Sequence, residues 1–213
     1  MRLVRIFEFK QKLIERNCFK NFLSLFDYNY KQVLIIENQN CKFNLKGYTM
    51  LTQEVVKRLS EQVVKEMFTS NLYLSMSSWC HTHLFDGAGA FLFEHANQES
   101  EHARKLITYL NETDSALILS EIKKPESEFK SLLEVFEKVY EHELLVTKSI
   151  NELVEFTLTQ KDYSSFNFLQ WYVAEQHEEE ALFRGIVDKI KLCGENGSGL
   201  YLADQYIKTL SGK

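Results

Sequence analysis

The chain has 213 residues with one proline and eight glycines, a length suited to one sizeable domain and too few turn formers for an all-β sandwich or a loop-rich fold. No run approaches the roughly 18 uncharged apolar residues that cross a bilayer, and the four cysteines (Cys18, Cys41, Cys80, Cys193) form no CxxC pair, which argues against a disulfide framework or zinc ribbon and for reduced thiols in the cytoplasm. Of the net charge of −5, residues 1–49 contribute nine Lys/Arg against four Asp/Glu, or +5, so residues 50–213 carry −10, an acidic body that disfavours nucleic acid and favours cations.

Residues 1–49 differ in kind from the remainder of the chain. About half are Phe, Tyr, Ile, Asn or Lys, and alanine is absent. They sustain neither a helical nor a strand period, and no apolar block is clean enough for a signal peptide. Lys46-Gly47 is encodable by AAAGGA, a purine-rich ribosome-binding sequence just ahead of the Met50 codon. The expectation is therefore an atypical leader over 1–49, outside the native fold, with translation starting naturally at Met50. A targeting arm and a partner-binding extension are the rival readings. The domain proper is expected over 50–213.

From Met50 the patterning is helical. Thr52 caps a first helix running to about His83, since a hydroxyl there can accept an amide of the first turn. Asp86-Gly87-Ala88-Gly89 reads as a break, and a second helix runs from about Ala90 to Glu112. The connection from Thr113 to Lys130 holds the only proline, Pro125. Ser131-x-x-Glu134 is a capping box opening a third helix to about Thr159. Lys161-Asp162 turns into a fourth helix ending at Gly194, and Gly197-Ser198-Gly199 sets off a short fifth, Leu200 to Leu210.

Loop lengths fix the topology. Short links make helices one and two, and three and four, antiparallel pairs. A 25-residue helix is roughly 37 Å long, and eighteen extended residues reach roughly 60 Å. The second link can thus traverse the whole bundle and leave helices two and three parallel. The expected fold is all-α: a four-helix bundle with one long crossover connection between helices 2 and 3, plus a short fifth C-terminal helix.

Each of the four long helices carries an apolar stripe at helical spacing, and each stripe is broken by metal-type ligands. The first runs Leu59, Glu66, Tyr73, Cys80; the second Leu92, His95, Glu99, His102, Leu106, Leu110. The third runs Leu132, Phe136, Val139, Glu143, Val146, Ile150, and the fourth Leu169, Tyr172, Gln176, Glu179, Phe183, Ile186, Ile190. A carboxylate forced into a bundle core is costly unless it is neutralised or meets a cation. Several at one depth therefore predict a bound metal. Glu99-x-x-His102 puts two ligands one turn apart, although alone it reads equally as a solvated charge pair. Gln176-x-x-Glu179 alone could be an exposed acidic face. The coincidence on four stripes carries the metal reading, and it follows the plan of di-iron carboxylate bundles.

The same residues resemble a known family, the bacterial non-haem ferritins, across essentially all of 50–213. The likeness rests on Glu61-Gln62 with Glu66, Trp79-Cys80, Asp86-Gly87-Ala88, Glu99-Ser100-Glu101-His102, Tyr140-Glu141-His142-Glu143 and Gly199-Leu200-Tyr201. Its longest match is Asn167-Phe168-Leu169-Gln170-Trp171-Tyr172-Val173-Ala174-Glu175-Gln176-His177-Glu178-Glu179-Glu180. The resemblance implies a ferroxidase: Glu66, Glu99 and His102 around one iron, Glu99 bridging to a second held by Glu143 and Glu179, and Gln176 beside it. It implies a third iron site on Glu175, Glu178 and Glu179 with a further glutamate where this chain has Gln98, a departure expected to weaken that site. Tyr73 matches the family's tyrosine beside the diiron centre, as electron donor or hydrogen-bond partner, and reads equally as a core tyrosine.

The resemblance further implies Fe(II) with O2 or H2O2 as substrates, a ferric mineral, no haem, and a cytoplasmic homo-oligomeric cage of 24 subunits with the fifth helix at its four-fold axes. No nucleic acid and no membrane partner is expected. Among the histidines, His95 lies on the seam, where a role behind the ligands or at an entry is open to it; His142 and His177 point off it, toward solvent or an interface. Trp171, Cys80 and Cys193 read as packing residues. A miniferritin-like protein that protects DNA or removes peroxide is the competing function, but such shells place ligands between subunits and lack a fifth helix. A diiron peroxidase should show a second E-x-x-H and cysteine pairs.

Overall fold

Four helices open in one way: a side-chain oxygen accepts the amide of the residue three positions on, which satisfies a donor that the helix itself leaves free. Thr52 receives Val55 at 3.3 Å and opens α1, Gln53–Thr82. Ser131 receives Glu134 at 3.1 Å and opens α3, Leu132–Thr159. Asp162 receives Ser165 at 3.1 Å and opens α4, Tyr163–Cys193; Asn196 receives Gly199 at 2.8 Å and opens α5, Gly197–Lys208. These elements belong to a computed structural model that describes residues 50–211. The leader assigned to 1–49, with Cys18 and Cys41, lies outside the described residues.

The remaining helix, α2, spans Asp86–Glu112 and has no side-chain cap of its own. Its first amides are taken instead by Asp204 of α5, whose carboxylate accepts Gly87 N at 3.1 Å and Ala88 N at 2.8 Å. Here the structure departs from the expected start at Ala90. The glycines of Asp86-Gly87-Ala88-Gly89 do not break the helix; they make its first turn thin. A Cβ on Gly87 would lie 2.3 Å from the Asp204 carbonyl oxygen, and one on Gly89 2.7 Å from the His81 ring. The fifth helix likewise starts at Gly197 rather than Leu200, and a Cβ on Gly199 would lie 2.2 Å from the Cys193 carbonyl oxygen. Gly194, at φ 79°, closes α4 as expected.

The helices pack as α1 on α2, α3 on α4 and α1 on α3, with α5 against α2 and α4. Two apolar clusters fix the directions. One joins the end of α1 (Leu72, Met76), the start of α2 (Phe91, Leu92), the start of α3 (Leu132, Phe136) and the end of α4 (Phe183, Ile186). The other joins the start of α1 (Leu59, Val63), the end of α2 (Leu106, Leu110), the end of α3 (Ile150, Leu153) and the start of α4 (Leu169, Tyr172). Helices α2 and α3 thus begin at the same end of the bundle and run parallel, as the crossover topology requires.

The crossover tracks α1. Ile118 N donates to Ser60 Oγ at 3.1 Å, and Ser75 Oγ donates to the Glu126 carbonyl at 2.7 Å. Fifteen helical residues rise roughly 22 Å, and eight extended residues reach roughly 26 Å, so the segment passes α1 nearly straight. The described residues contain no strand, and among them no helix is long and apolar enough to cross a membrane.

Candidate metal centre

The broken stripes meet in the waist between the two apolar clusters. On α1, Glu66 lies between Val63 and Leu72; on α2, Glu99 and His102 lie between Ala96 and Leu106. On α3, Glu143 separates Val139 from Val146, and on α4, Gln176 and Glu179 separate Tyr172 from Phe183. All six side chains are buried, none more than 6% exposed. The structure thus brings together every residue assigned to the two-metal set.

Within the waist the two halves differ. Ligand atoms of Glu66, Glu99 and His102 all lie within 4.8 Å of one another, the only such acid–imidazole group among the described residues. His102 Nδ1 is 3.4 Å from Glu99 Oε2, and a side-chain hydrogen bond joins the carboxyls of Glu66 and Glu99. In the other half Glu143 is already engaged: the Tyr73 hydroxyl donates to its Oε1, and Gln176 Nε2 donates to its Oε2 at 2.8 Å and approaches Thr147 Oγ1 at 3.4 Å. Glu179 Oε2 is buried and has no hydrogen-bond partner. Tyr73, with none of its surface exposed, is both a core residue and a hydrogen-bond partner of Glu143.

The electrostatics follow from burial. Desolvation, then the nearby Glu99, holds the Glu66 carboxyl well above the usual carboxylate range; desolvation, then Glu143, does the same to Glu99. Burial also raises Glu143, against the lowering hydrogen bonds from Tyr73 and Gln176. Glu179 is pushed up to about 8, first by burial and then by Glu143. Burial and the Glu143 charge raise the Tyr73 phenol as well. Four protonated or mutually repelling carboxyls, one of them with an unpartnered buried oxygen, and one imidazole are a donor set that hard divalent cations take, with iron well suited to the mixed oxygen and nitrogen ligands. The residues fit the metal.

The residues assigned to a third site are more scattered. Glu175 is half-buried, with Oε1 3.9 Å from His102 Nε2, and Glu178 is exposed. Gln98 lines an open depression of about 390 Å³ with His102, Arg104, Lys105 and Trp171. No three ligating groups there come within shared reach of one ion among the described residues. Trp171 packs edge-on against His102 and Tyr172, and Lys105 Nζ sits 3.9 Å above its ring.

Two histidines sharpen the sequence reading. His95 packs between Phe91 and Phe183 and donates from Nδ1 to its own helix, at the Phe91 carbonyl, 3.1 Å away. His142, which the sequence reads as facing solvent or an interface, is half-buried in the chain, with Nε2 2.8 Å from Thr69 Oγ1 and its ring against Phe68 and Tyr73. Burial lowers it to about 4. His177 is exposed, as expected. Gln62, which has no role in the sequence reading, donates from Nε2 to Glu66 Oε1 at 2.8 Å. Its spacing of four from Glu66 was the available signal. Ser149, which donates to Gln62 Oε1 at 2.6 Å, comes from another helix and carried none.

The ferritin-like domain family matches residues 56–193. A bacterial non-heme ferritin of Campylobacter jejuni is 73% identical over 162 residues, covering 76% of this chain and 97% of that protein. One of Escherichia coli O6:H1 is 47% identical over 161 residues, covering 76% and 98%. An open pore ferritin from the archaeon Archaeoglobus fulgidus is similar at a TM-score of 0.73 and 38% identity, over 75% of this chain and 98% of that one.

Proposed function

Since the chain belongs to the bacterial non-haem ferritins, proteins of iron storage, we propose that its waist is a ferroxidase centre taking Fe(II) as substrate. The observation that carries this is the meeting of Glu66, Glu99, His102, Glu143 and Glu179 between two apolar clusters, with Glu179 Oε2 left unpartnered. Glu66, Glu99 and His102 take the first Fe(II). Glu99 bridges to a second, held by Glu143 and Glu179 with Gln176 alongside. Each ion gives up one electron, and dioxygen or peroxide accepts the pair.

The residues prepare that step in three ways. The apolar clusters above and below exclude bulk water, which strengthens every charge interaction in the waist. Carboxyls that hold protons in the metal-free protein release them as cations bind. Tyr73 and Gln176 keep Glu143 aimed inward until the second ion competes for its oxygens. At the outer third site Gln98 contributes no charge, so Glu175 and Glu178 hold an ion there only weakly. The ferric product passes to a mineral inside a cytoplasmic shell of 24 copies, with α5 at its four-fold axes; native mass measurement checks the assembly.

Aerobic Fe(II) oxidation by wild type, Glu99→Ala and His102→Ala tests the centre. Both variants lose at least the ~10–100-fold that removing a mere outer partner of a metal ligand costs. Comparable initial rates in all three would overturn the assignment.

A further inference from the structure

A hydrogen-bond chain runs from the bundle surface to the metal centre along the α1–α3 seam. The exposed Lys65 ammonium donates to Ser149 Oγ. Ser149 Oγ donates to Gln62 Oε1 at 2.6 Å, and Gln62 Nε2 donates to Glu66 Oε1 at 2.8 Å. Gln62 is 1% exposed, so its amide has no water to turn to. The chain also has only one direction open to it. An ammonium has donors and no acceptor, so Ser149 must receive from Lys65 and spend its own proton on Gln62. The Gln62 carbonyl is then committed as acceptor, and its NH2 must face the carboxylate.

We propose that Lys65, Ser149 and Gln62 are positioning residues that lock Glu66 for metal binding. With the relay polarised from its charged end, Glu66 Oε1 is held by a neutral donor and the other oxygen is left to Glu99 and His102. An amide free to flip would present its oxygen to the Glu66 carboxylate and drive the ligand away from the cluster. Ligand orientation by such outer partners is a general device of metal sites. The inference rests on the ferroxidase reading above, in which Glu66 is a ligand.

Co(II), which binds oxygen and nitrogen ligands without being oxidised by air, is the probe, read by its visible d–d absorption in titrations of the assembled protein. Gln62→Leu weakens Co(II) binding about 10-fold or more, and Ser149→Ala weakens it by a smaller factor. Ser149→Thr, which keeps the hydroxyl, restores wild-type affinity; a merely structural role would not distinguish Thr from Ala in this way. Lys65→Met, at an exposed position where folding is not at risk, broadens or shifts the absorption band as the amide loses its fixed sense. Glu99→Ala serves as the control for the centre itself. Loss of Co(II) binding in Glu99→Ala beside wild-type affinity in Gln62→Leu and Ser149→Ala overturns the relay alone. Retained binding in Glu99→Ala overturns the metal centre and the relay with it.

Discussion

Four carboxyl groups share one apolar waist because, in the metal-free protein, most of them keep their protons. That gives stability a definite pH dependence. Glu179 sits at about 8, and Glu66, Glu99 and Glu143 are also raised. A raised carboxyl contributes stability that is complete below its unfolded value near 4.5 and is lost as pH climbs through the folded value. His142 acts oppositely: at about 4 in the fold, it favours folding above its ordinary 6.5 and loses that contribution as pH falls. Between 4.5 and 6.5 His142 offsets the equivalent of one carboxyl, and above that range the carboxyls alone set the slope. A tenfold difference in proton affinity between the folded and unfolded chain is worth about 1.4 kcal/mol, which makes the Glu179 effect on the order of a few kcal/mol. The metal-free protein should therefore melt roughly 5–10 °C lower at about pH 8.5 than at about pH 6.5. Glu179→Gln should flatten that fall, and saturating Co(II) should remove it. A thermal midpoint independent of pH in this window would show that the waist is not desolvated as described.

At the scale of elements, α2 depends on a cap supplied by α5. Asp204 is 5% exposed, and its carboxylate holds two amides that α2 leaves free, at the helix end where a negative charge is favoured. Asp204→Ala orphans both amides and loosens α5. Each buried donor left unpaired costs about 1–3 kcal/mol, so the midpoint should drop by several degrees and α5 should become the first site of proteolysis. Initial Fe(II) oxidation should be unchanged, because Asp204 lies with the α5-end cluster and not in the waist. A variant cut no faster than wild type would mean that α5 is held by its apolar contacts alone. This contact also marks where sequence stopped being informative. Thr52, Ser131 and Gly194 signalled their helix ends because each acts on its own neighbours. Gly87 and Gly89 read as a break because the residues that require them thin, Asp204 and His81, meet them only once the chain has folded. The residues of the proposed centre were legible for the opposite reason: a carboxylate on an apolar stripe is anomalous locally. Gln62 and Ser149 were not, since a polar residue one turn from Glu66 or on a helix flank looks ordinary until its partner on another helix is seen.

For the whole molecule, the waist and the two apolar clusters divide the labour of function and stability. Each cluster draws on all four long helices, so either end can hold the bundle together while the centre carries buried carboxyls whose ionisation opposes folding. Substitutions in the two regions should then have opposite effects. Leu106→Ala removes a fully buried side chain from the far cluster and should cost about 2–5 kcal/mol through lost transfer energy and the cavity left behind. Its metal-free midpoint should fall while Fe(II) oxidation in the first turnover stays near wild type. Glu179→Met keeps the length of an unbranched side chain but replaces a carboxyl whose Oε2 has no partner. Apolar replacement of a poorly satisfied buried charge is often stabilising by about 1–4 kcal/mol, so at about pH 8.5 this variant should melt higher than wild type and oxidise Fe(II) far more slowly. Added Co(II) should narrow the gap by raising wild type more than the variant, because a ligand stabilises only the fold that binds it. Scanning calorimetry of both variants with and without Co(II) checks this, and a Glu179→Met protein that melts below wild type at that pH would contradict it. Its cause would then lie in contacts of Glu179 that help the metal-free bundle fold, and the waist would be a structural polar network as much as a binding site.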